Sequence, residues 1–323
     1  MKKLLILATV FAAVLMPTSC QKIGPVIGDG KANVNFTLQT PVDAVTKTIG
    51  DGENVNLVYY EIYLKQDNHV NSINGGTPLV DRTVAISGRK TSLKLNLLED
   101  QDYVALFWAE VIPAEGRKFY NTDDLRKVEA LYDGVDSNDE SRAAFCQRIE
   151  FNTSNKVNAT VTLVRPFAQL NIGTTLESLN IDYRIDVTAS KVTVTTPARF
   201  YNVNTGEAHT PAAQPVEFAL ATNPQQYLNV NGTDYEYVAM NYFLVSGNSS
   251  SVDVVFDIET DKGTVTDKVV AQVPVQQNYR TNIIGNLLTK ETKIEIVVDN
   301  RFIADWNSNE DGSYTEVPNP DYN

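Results

Sequence analysis

Apolar and polar residues alternate in several short segments of this 323-residue chain, and this alternation limits the fold more than any other feature. Residues 33–39 (NVNFTLQ), 91–98 (TSLKLNLL) and 251–258 (SVDVVFDI) carry apolar residues at every second position. A period of two places successive side chains on opposite faces, as in a β-strand with one buried face. Residues 57–64 (LVYYEIYL) and 102–111 (DYVALFWAEV) are rich in β-branched and aromatic residues, which also favour strands. The sequence therefore predicts an all-β fold.

The predicted strands are separated by short segments of glycine, proline, asparagine and aspartate. No long amphipathic helix recurs between them, as a parallel α/β sheet would require. Many short strands at this spacing indicate antiparallel β-sandwiches. We expect two such domains in series, residues 32–165 and 166–300, with a polar C-terminal extension of residues 301–323. The boundary falls where Pro166 interrupts the alternation.

Helix is expected to be a minor component. Between residues 121 and 149 the apolar spacing lengthens, which predicts one or two short helical turns. Cys146 lies in an apolar, helical-looking part of this segment (residues 142–149). No histidine is near it in sequence, so we expect it to be buried as a small hydrophobic residue.

The N-terminus has the features of a targeting segment. A positive head precedes an apolar run at residues 4–16, which is too short to span a bilayer. Residues 17–20 (PTSC) resemble the lipobox of bacterial lipoproteins, in which the cysteine is acylated, with palmitate for example, and becomes the new N-terminus. We expect residues 1–20 to be a lipoprotein signal peptide with Cys20 as the lipid anchor, followed by a flexible tether at residues 21–31. A plain secretory signal is the alternative.

Composition disfavours several classes of function. The chain has 40 acidic and 27 basic residues and a net charge of −13, which repels nucleic acid. It has only two histidines, His69 and His209, and two cysteines, and it lacks zinc, calcium and dinucleotide motifs. We therefore expect no catalytic residues, no metal site and no cofactor. An acid-pair hydrolase would need two carboxylates about 5 to 9.5 Å apart in a cleft.

Aromatic residues raise the question of sugar binding. Exposed tyrosine and tryptophan side chains can stack on sugars, and five of them are candidates here: Tyr59, Tyr60, Trp108, Tyr235 and Tyr237. All five lie inside predicted strands, which favours packing within the fold over sugar binding.

Three runs in fixed order resemble the fimbrillin-like lipoproteins of Bacteroides-type bacteria. They are residues 165–173 (RPFAQLNIG), 237–245 (YVAMNYFLV) and 273–289 (VPVQQNYRTNIIGNLLT). Residues 48–60 are similar to the start of the N-terminal domain of the same proteins. The resemblance implies two transthyretin-like β-sandwich domains and outer-membrane anchoring. It also implies membership of a superfamily that includes subunits of adhesive pili and many proteins of unassigned function.

The resemblance also implies a route of assembly. In pilus-forming relatives a protease cuts after an arginine in the loop that follows the first strand, and loss of that strand opens a groove that a neighbour's strand fills. The corresponding loop, residues 40–52, contains Lys47 and no arginine. Lys47 is therefore the candidate processing residue, and a subunit that is never cut is the alternative. The candidate displaceable strand carries Val34, Phe36 and Leu38.

The candidate donor strand lies near the C-terminus, where apolar residues again alternate; an ordinary last strand is the alternative. These residues are Ile294, Ile296 and Val298.

We expect a non-enzymatic, lipid-anchored protein of the outer membrane, a structural or adhesion subunit or accessory of a pilus (fimbrium). Its expected partners are the membrane, through the N-terminal lipid, and other pilus subunits, through strand exchange. A host or bacterial surface glycan or protein is a further expected partner, whereas nucleic acid is not. The alternative is a monomeric outer-membrane lipoprotein that binds glycan or protein ligands. Residues 21–24 lack the acidic pair that resembles a surface-export signal, so surface and periplasmic orientations both stay open.

Overall fold

The computed structural model describes residues 32–41, 52–175, 186–212, 214–222, 227–245, 250–288 and 293–299. The predictions for the signal peptide, Cys20, the tether, Lys47 and the C-terminal extension lie outside these residues. The strands, in chain order, are β1 (Ala32–Gln39), β2 (Leu57–Leu64), β3 (Val80–Ala85), β4 (Lys90–Leu97), β5 (Asp102–Glu110), β6 (Tyr120–Asn121), β7 (Val128–Ala130), β8 (Ala144–Asn152), β9 (Val157–Thr162), β10 (Phe167–Thr175), β11 (Val187–Val194), β12 (Phe200–Asn202), β13 (Glu207–His209), β14 (Val216–Thr222), β15 (Tyr227–Val230), β16 (Thr233–Leu244), β17 (Ser250–Thr260), β18 (Gly263–Val275), β19 (Arg280–Asn286) and β20 (Lys293–Asp299).

The first core cluster lies between two sheets of the N-terminal half. One sheet has the strand order β4-β1-β9 and the other the order β3-β2-β5-β8. The predicted strands at 33–39, 57–64, 91–98 and 102–111 are confirmed to within one residue at each end. Their alternating apolar residues pack into one buried cluster, whose members run in sequence from Val34 to Leu163.

The sheet that contains β5 is buried on both faces. Phe107 and Trp108 are neighbours in β5 and both are fully buried, although they point to opposite faces. Phe107 belongs to the first core cluster, whereas Trp108 belongs to a second cluster that extends from Tyr63 to Leu287. This sheet is therefore a layer shared by both cores.

The second cluster joins three further sheets. Their strand orders are β15-β16-β10-β19-β20, β14-β11-β17-β18 and β13-β12-β7-β6, and the last combines strands from both sides of residue 165. Strand pairing is antiparallel except for the parallel pairs β1–β9 and β10–β19. The all-β sandwich fold is confirmed. The division at residue 165 stays a prediction, because the second cluster draws residues from both sides of it.

The prediction of helical turns was wrong for the segment around Cys146. Ala144–Asn152 forms β8, and helix in the described residues is limited to one 3₁₀ turn, Glu140–Arg142. β8 begins between the two cores, so three successive residues, Ala144, Phe145 and Cys146, are all buried. A short continuous apolar run of this kind does not distinguish a buried strand from a buried helix. Cys146 is buried as expected, and burial raises the pKa of its thiol to about 12.

In the part of the chain that the structure describes, no helix has the length and apolar character needed to cross a membrane.

Candidate strand-exchange site

The candidate displaceable strand, β1, is the middle strand of its sheet. It pairs with β4 in antiparallel register along all eight residues, and with β9 in parallel register from Val34 to Gln39. Two side-chain bonds join β1 to β9. Asn35 Nδ2 donates to Asn158 Oδ1 (2.9 Å), and Gln39 Nε2 donates to Thr162 Oγ1 (3.1 Å). β1 therefore separates two strands that do not contact each other through backbone bonds.

The inward side chains of β1 are almost completely buried. Val34, Phe36 and Leu38 are 1%, 1% and 0% exposed. The Phe36 ring packs edge-on against Phe107 (5.8 Å between centroids) and Phe151 (5.2 Å). Removing β1 would therefore leave an apolar groove between β4 and β9, with unpaired backbone groups along both walls.

The chain leaves β1 at a fixed point. The Thr40 N–H donates to the Arg89 carbonyl (2.9 Å), and Arg89 Nη1 donates to the Pro41 carbonyl (2.8 Å). The described chain resumes at Gly52, which has φ +74° and lies so close to Phe145 that a Cβ would be 2.6 Å from its Cζ. Both ends of the connection that contains Lys47 are thus held against the sandwich, and the connection itself lies outside the described residues.

The candidate donor strand, β20, is at the edge of the five-stranded sheet, where it pairs antiparallel with β19. Ile294 and Ile296 are partly buried and pack against the second core cluster, and Val298 is also partly buried. β20 is therefore an edge strand with a half-buried apolar face. This arrangement fits a donor strand and an ordinary last strand equally, so both alternatives stay open.

Two carboxyl groups that sequence reasoning missed lie on the second-cluster face of the shared sheet. Glu61 is 2% exposed and accepts hydrogen bonds from the Tyr63 hydroxyl (2.7 Å) and the Leu125 N–H (3.0 Å). Glu110 is 1% exposed, accepts from Trp108 Nε1 (3.5 Å) and has the Tyr59 hydroxyl as a second polar neighbour. Burial raises the pKa of each to about 7. The signal available in the sequence was an acidic residue at an inward-facing strand position.

The histidines and the candidate aromatic residues can also be placed in the structure. The described residues contain no group of three or more histidine, cysteine or acidic side chains placed to hold a metal ion. Tyr60, Trp108 and Tyr237 are buried, and Tyr59 and Tyr235 pack against the second cluster, so the expectation of packing is confirmed. His69 and His209 are both exposed.

A cleft of about 260 Å³ lies between the two halves of the chain. Its walls combine polar side chains of both charges with proline and aromatic surfaces, a mixture that suits a polar organic ligand better than a bare ion. The polar lining residues include Asp133, Arg199, Thr210, Gln214 and Glu217.

The chain belongs to a family of unknown function, DUF6562, whose model matches residues 27–318. No curated protein matches it.

Several solved structures are similar to this chain. A "putative cell adhesion protein" from Bacteroides ovatus is 9% identical, with 84% of this chain and 98% of that chain covered at a TM-score of 0.47. A fimbrial assembly protein from Parabacteroides distasonis is 16% identical (82% and 94% covered, TM-score 0.44). The tip fimbrial protein Mfa3 from Porphyromonas gingivalis is 11% identical (83% and 99% covered, TM-score 0.40).

Proposed function

We propose that this protein is a non-enzymatic, outer-membrane lipoprotein that serves as a structural or adhesive subunit, or an accessory, of a pilus assembled by strand addition. The observation that carries the proposal is the position of β1. It is bonded on both sides and fills a groove with three buried apolar side chains. An extended strand from another molecule can make the same backbone bonds and fill the same groove.

A cut near Lys47 would have two effects at once. It would leave β1 attached to the fold only by non-covalent contacts, because β1 precedes the connection and β2 follows it. It would also separate the folded body from Cys20 and its expected lipid. An uncut chain would therefore remain an anchored monomer or a terminal accessory, whereas a cut chain would be released and competent for assembly.

The energetics require a replacement strand. Burying one large apolar side chain contributes about 1.5–3 kcal/mol, so loss of Val34, Phe36 and Leu38 from the core would be strongly unfavourable without compensation. Strand exchange supplies that compensation with an equivalent set of alternating apolar residues. β20 offers Ile294, Ile296 and Val298 at such a spacing.

The test uses the mature chain with a recognition sequence for a site-specific protease inserted at Lys47. After cleavage we expect the peptide that contains β1 to be lost, as seen by mass spectrometry, and oligomers to form, as seen by light scattering. The matched control adds Thr37→Cys and Ser92→Cys, which replace register partners on β1 and β4, so that a disulfide can retain the strand. The crosslinked chain should be cut and stay monomeric.

A cut chain that keeps its β1 peptide and remains monomeric without the crosslink would contradict the proposal. Ile296→Asp tests the donor separately, because a charge on β20 should prevent oligomers while leaving β1 release intact.

The alternative function, a monomeric lipoprotein that binds a glycan or protein, has the cleft beside Arg199 as its support. Retention of the uncut monomer on a polysaccharide column would favour it.

A further inference from the structure

Arg142 carries a buried positive charge without an ion-pair partner among the described residues. It ends the 3₁₀ turn Glu140–Arg142 and is only 2% exposed. Its Nη2 donates to the Leu131 carbonyl (3.2 Å). Its Nε and Nη1 donate to no described group and are shielded from solvent. Buried donors that lack an acceptor are rare in folded proteins, and a bound ion or water is the usual partner for them.

Three aromatic rings surround the guanidinium. The Arg142 Cζ lies 5.1 Å from the centroid of Phe119, 5.9 Å from that of Tyr120 and 5.7 Å from that of Tyr132. Ring faces attract a cation, but they stabilise it by about 2 kcal/mol at most, whereas burying an unpaired charge costs several kcal/mol. The rings therefore offset only part of the cost.

The nearby hydroxyl groups do not serve the free donors. The Tyr120 hydroxyl donates to the backbone carbonyl of Arg142 itself (2.5 Å). The Tyr132 hydroxyl donates to the Ala198 carbonyl (2.9 Å) and accepts from the Leu244 N–H (3.1 Å). Both tyrosine hydroxyls thus bond to backbone groups, and the guanidinium keeps one positive charge and two nitrogen atoms, Nε and Nη1, without an acceptor.

We propose that Arg142 binds a small monovalent anion of the halide class, of which chloride is the abundant member. A negatively charged acceptor satisfies the donors and neutralises the charge together. One positive charge matches one negative charge, which disfavours phosphate and sulfate. Enclosure by Phe119, Tyr120 and Tyr132 favours a compact, weakly hydrated ion over an organic carboxylate. The net charge of −13 repels anions from the protein surface in general, so any halide binding that is measured should come from the Arg142 site.

Anion binding at Arg142 would stabilise the folded state. The guanidinium joins the 3₁₀ turn to Leu131 and to the Phe119–Tyr120 segment, and these neighbours meet only when the chain is folded. A ligand that binds only the folded protein lowers the unfolding constant by the factor 1 + [L]/Kd. The unfolding constant should therefore fall about tenfold for each tenfold rise in chloride above Kd.

The experiment follows urea unfolding of the full mature chain at constant ionic strength, with gluconate progressively replaced by chloride. The unfolding constant should fall about tenfold for each tenfold rise in chloride above Kd, and bromide should have the same effect. Arg142→Met removes the charge and keeps a side chain that packs well against aromatic rings. This variant should lose the chloride response. Arg126→Met is the matched control, since Arg126 also lies over a ring, that of Tyr63 (4.9 Å), but its charge is already paired with Asp124 (3.0 Å), and this variant should retain the response.

Crystals of the wild-type protein in bromide give a readout that does not depend on the folding of any variant. An anomalous peak within hydrogen-bond distance of Arg142 Nε or Nη1 is expected. Equal stability of the wild type in chloride and gluconate would overturn the proposal. A chloride response that persists in Arg142→Met, or a water molecule in place of bromide, would do the same.

Discussion

The buried carboxyl groups of the shared sheet couple folding to pH. Glu110 lies at the end of β5, and burial is the largest cause of its raised pKa of about 7, against an ordinary value near 4.5. The folded state therefore holds a proton that the unfolded state releases. The stability from this group is fully present below about pH 4.5 and is lost as the pH rises through about 7.

Glu110→Gln should remove the part of this pH dependence that Glu110 contributes and leave the part due to Glu61. The amide is nearly isosteric, can still accept from Trp108 Nε1, and stays neutral at all pH values. We expect the variant to be more stable than the wild type at pH 8, by at most about 3 kcal/mol, and close to it at pH 5. The measurement is the free energy of unfolding in urea at both pH values. Glu99→Gln, at an exposed turn position, is the control. A Glu110→Gln protein that is less stable at pH 8 would contradict this account.

The buried residues of the fold differ in how well the sequence reveals them. Val34, Phe36 and Leu38 are readable because β1 has one buried and one partly exposed face. Glu61 is readable only as an acidic residue at an inward-facing strand position, because the Leu125 segment that covers it is 64 residues away. The burial of Arg142 is not readable, because the rings of Phe119, Tyr120 and Tyr132 surround it only in the folded chain. A charged residue in a strand or turn is ordinarily exposed, and only the tertiary structure reverses that expectation.

Edge strands show how the fold limits unwanted pairing. β18 is the edge of a four-stranded sheet and runs for 13 residues. Two β-bulges interrupt it, with Asp267 at φ 54° and Gln272 at φ 55°. The N–H of each donates to a carboxylate of β17, Asp257 and Asp253 respectively, at 2.8 Å. Bulges twist an edge away from a flat template, so β18 is a poor acceptor for another strand.

Replacing both carboxylates should allow the β18 edge to pair with a strand of another molecule. We expect Asp253→Ala with Asp257→Ala to cost about 1 kcal/mol for each lost bond and to produce concentration-dependent association. Urea midpoints and light scattering measure the two effects. Asp253→Asn with Asp257→Asn keeps an acceptor oxygen at each position and should stay monomeric. If the alanine protein also stays monomeric at high concentration, the bulges do not depend on these side chains.

Strands are missed in the sequence where they are very short or are buried on both faces. β12 and β13 have three residues each, too few to show a period, and they are held in a sheet with β7 from before residue 165. β19 is buried on both faces beside its parallel partner β10, and its polar and apolar residues do not alternate. Long strands with one exposed face, such as β17, were predicted closely because their alternation is complete.

At the scale of the whole molecule, the two core clusters share one sheet. Trp108 on that sheet contacts Tyr120 (5.1 Å) and also Tyr201, which lies beyond residue 165 (6.3 Å). The acidic stretch before the 3₁₀ turn also reaches across, since the Ala219 N–H donates to the Val135 carbonyl (2.7 Å) and the Asn138 N–H to the Met240 carbonyl (2.7 Å). A division at residue 165 would expose one face of the shared sheet. The two halves are therefore expected to unfold together.

Two matched core substitutions test this cooperativity. Phe36→Leu lies only in the first cluster and Phe243→Leu only in the second, and both side chains are 1% exposed. Each should cost about 1 kcal/mol. In one cooperative unit, either substitution shifts a single unfolding midpoint by a similar amount, and hydrogen exchange accelerates in both β1 and β16. Two transitions, each moved by only one substitution, would instead establish residues 32–165 and 166–300 as independent domains. Release of β1 would then perturb the first domain alone.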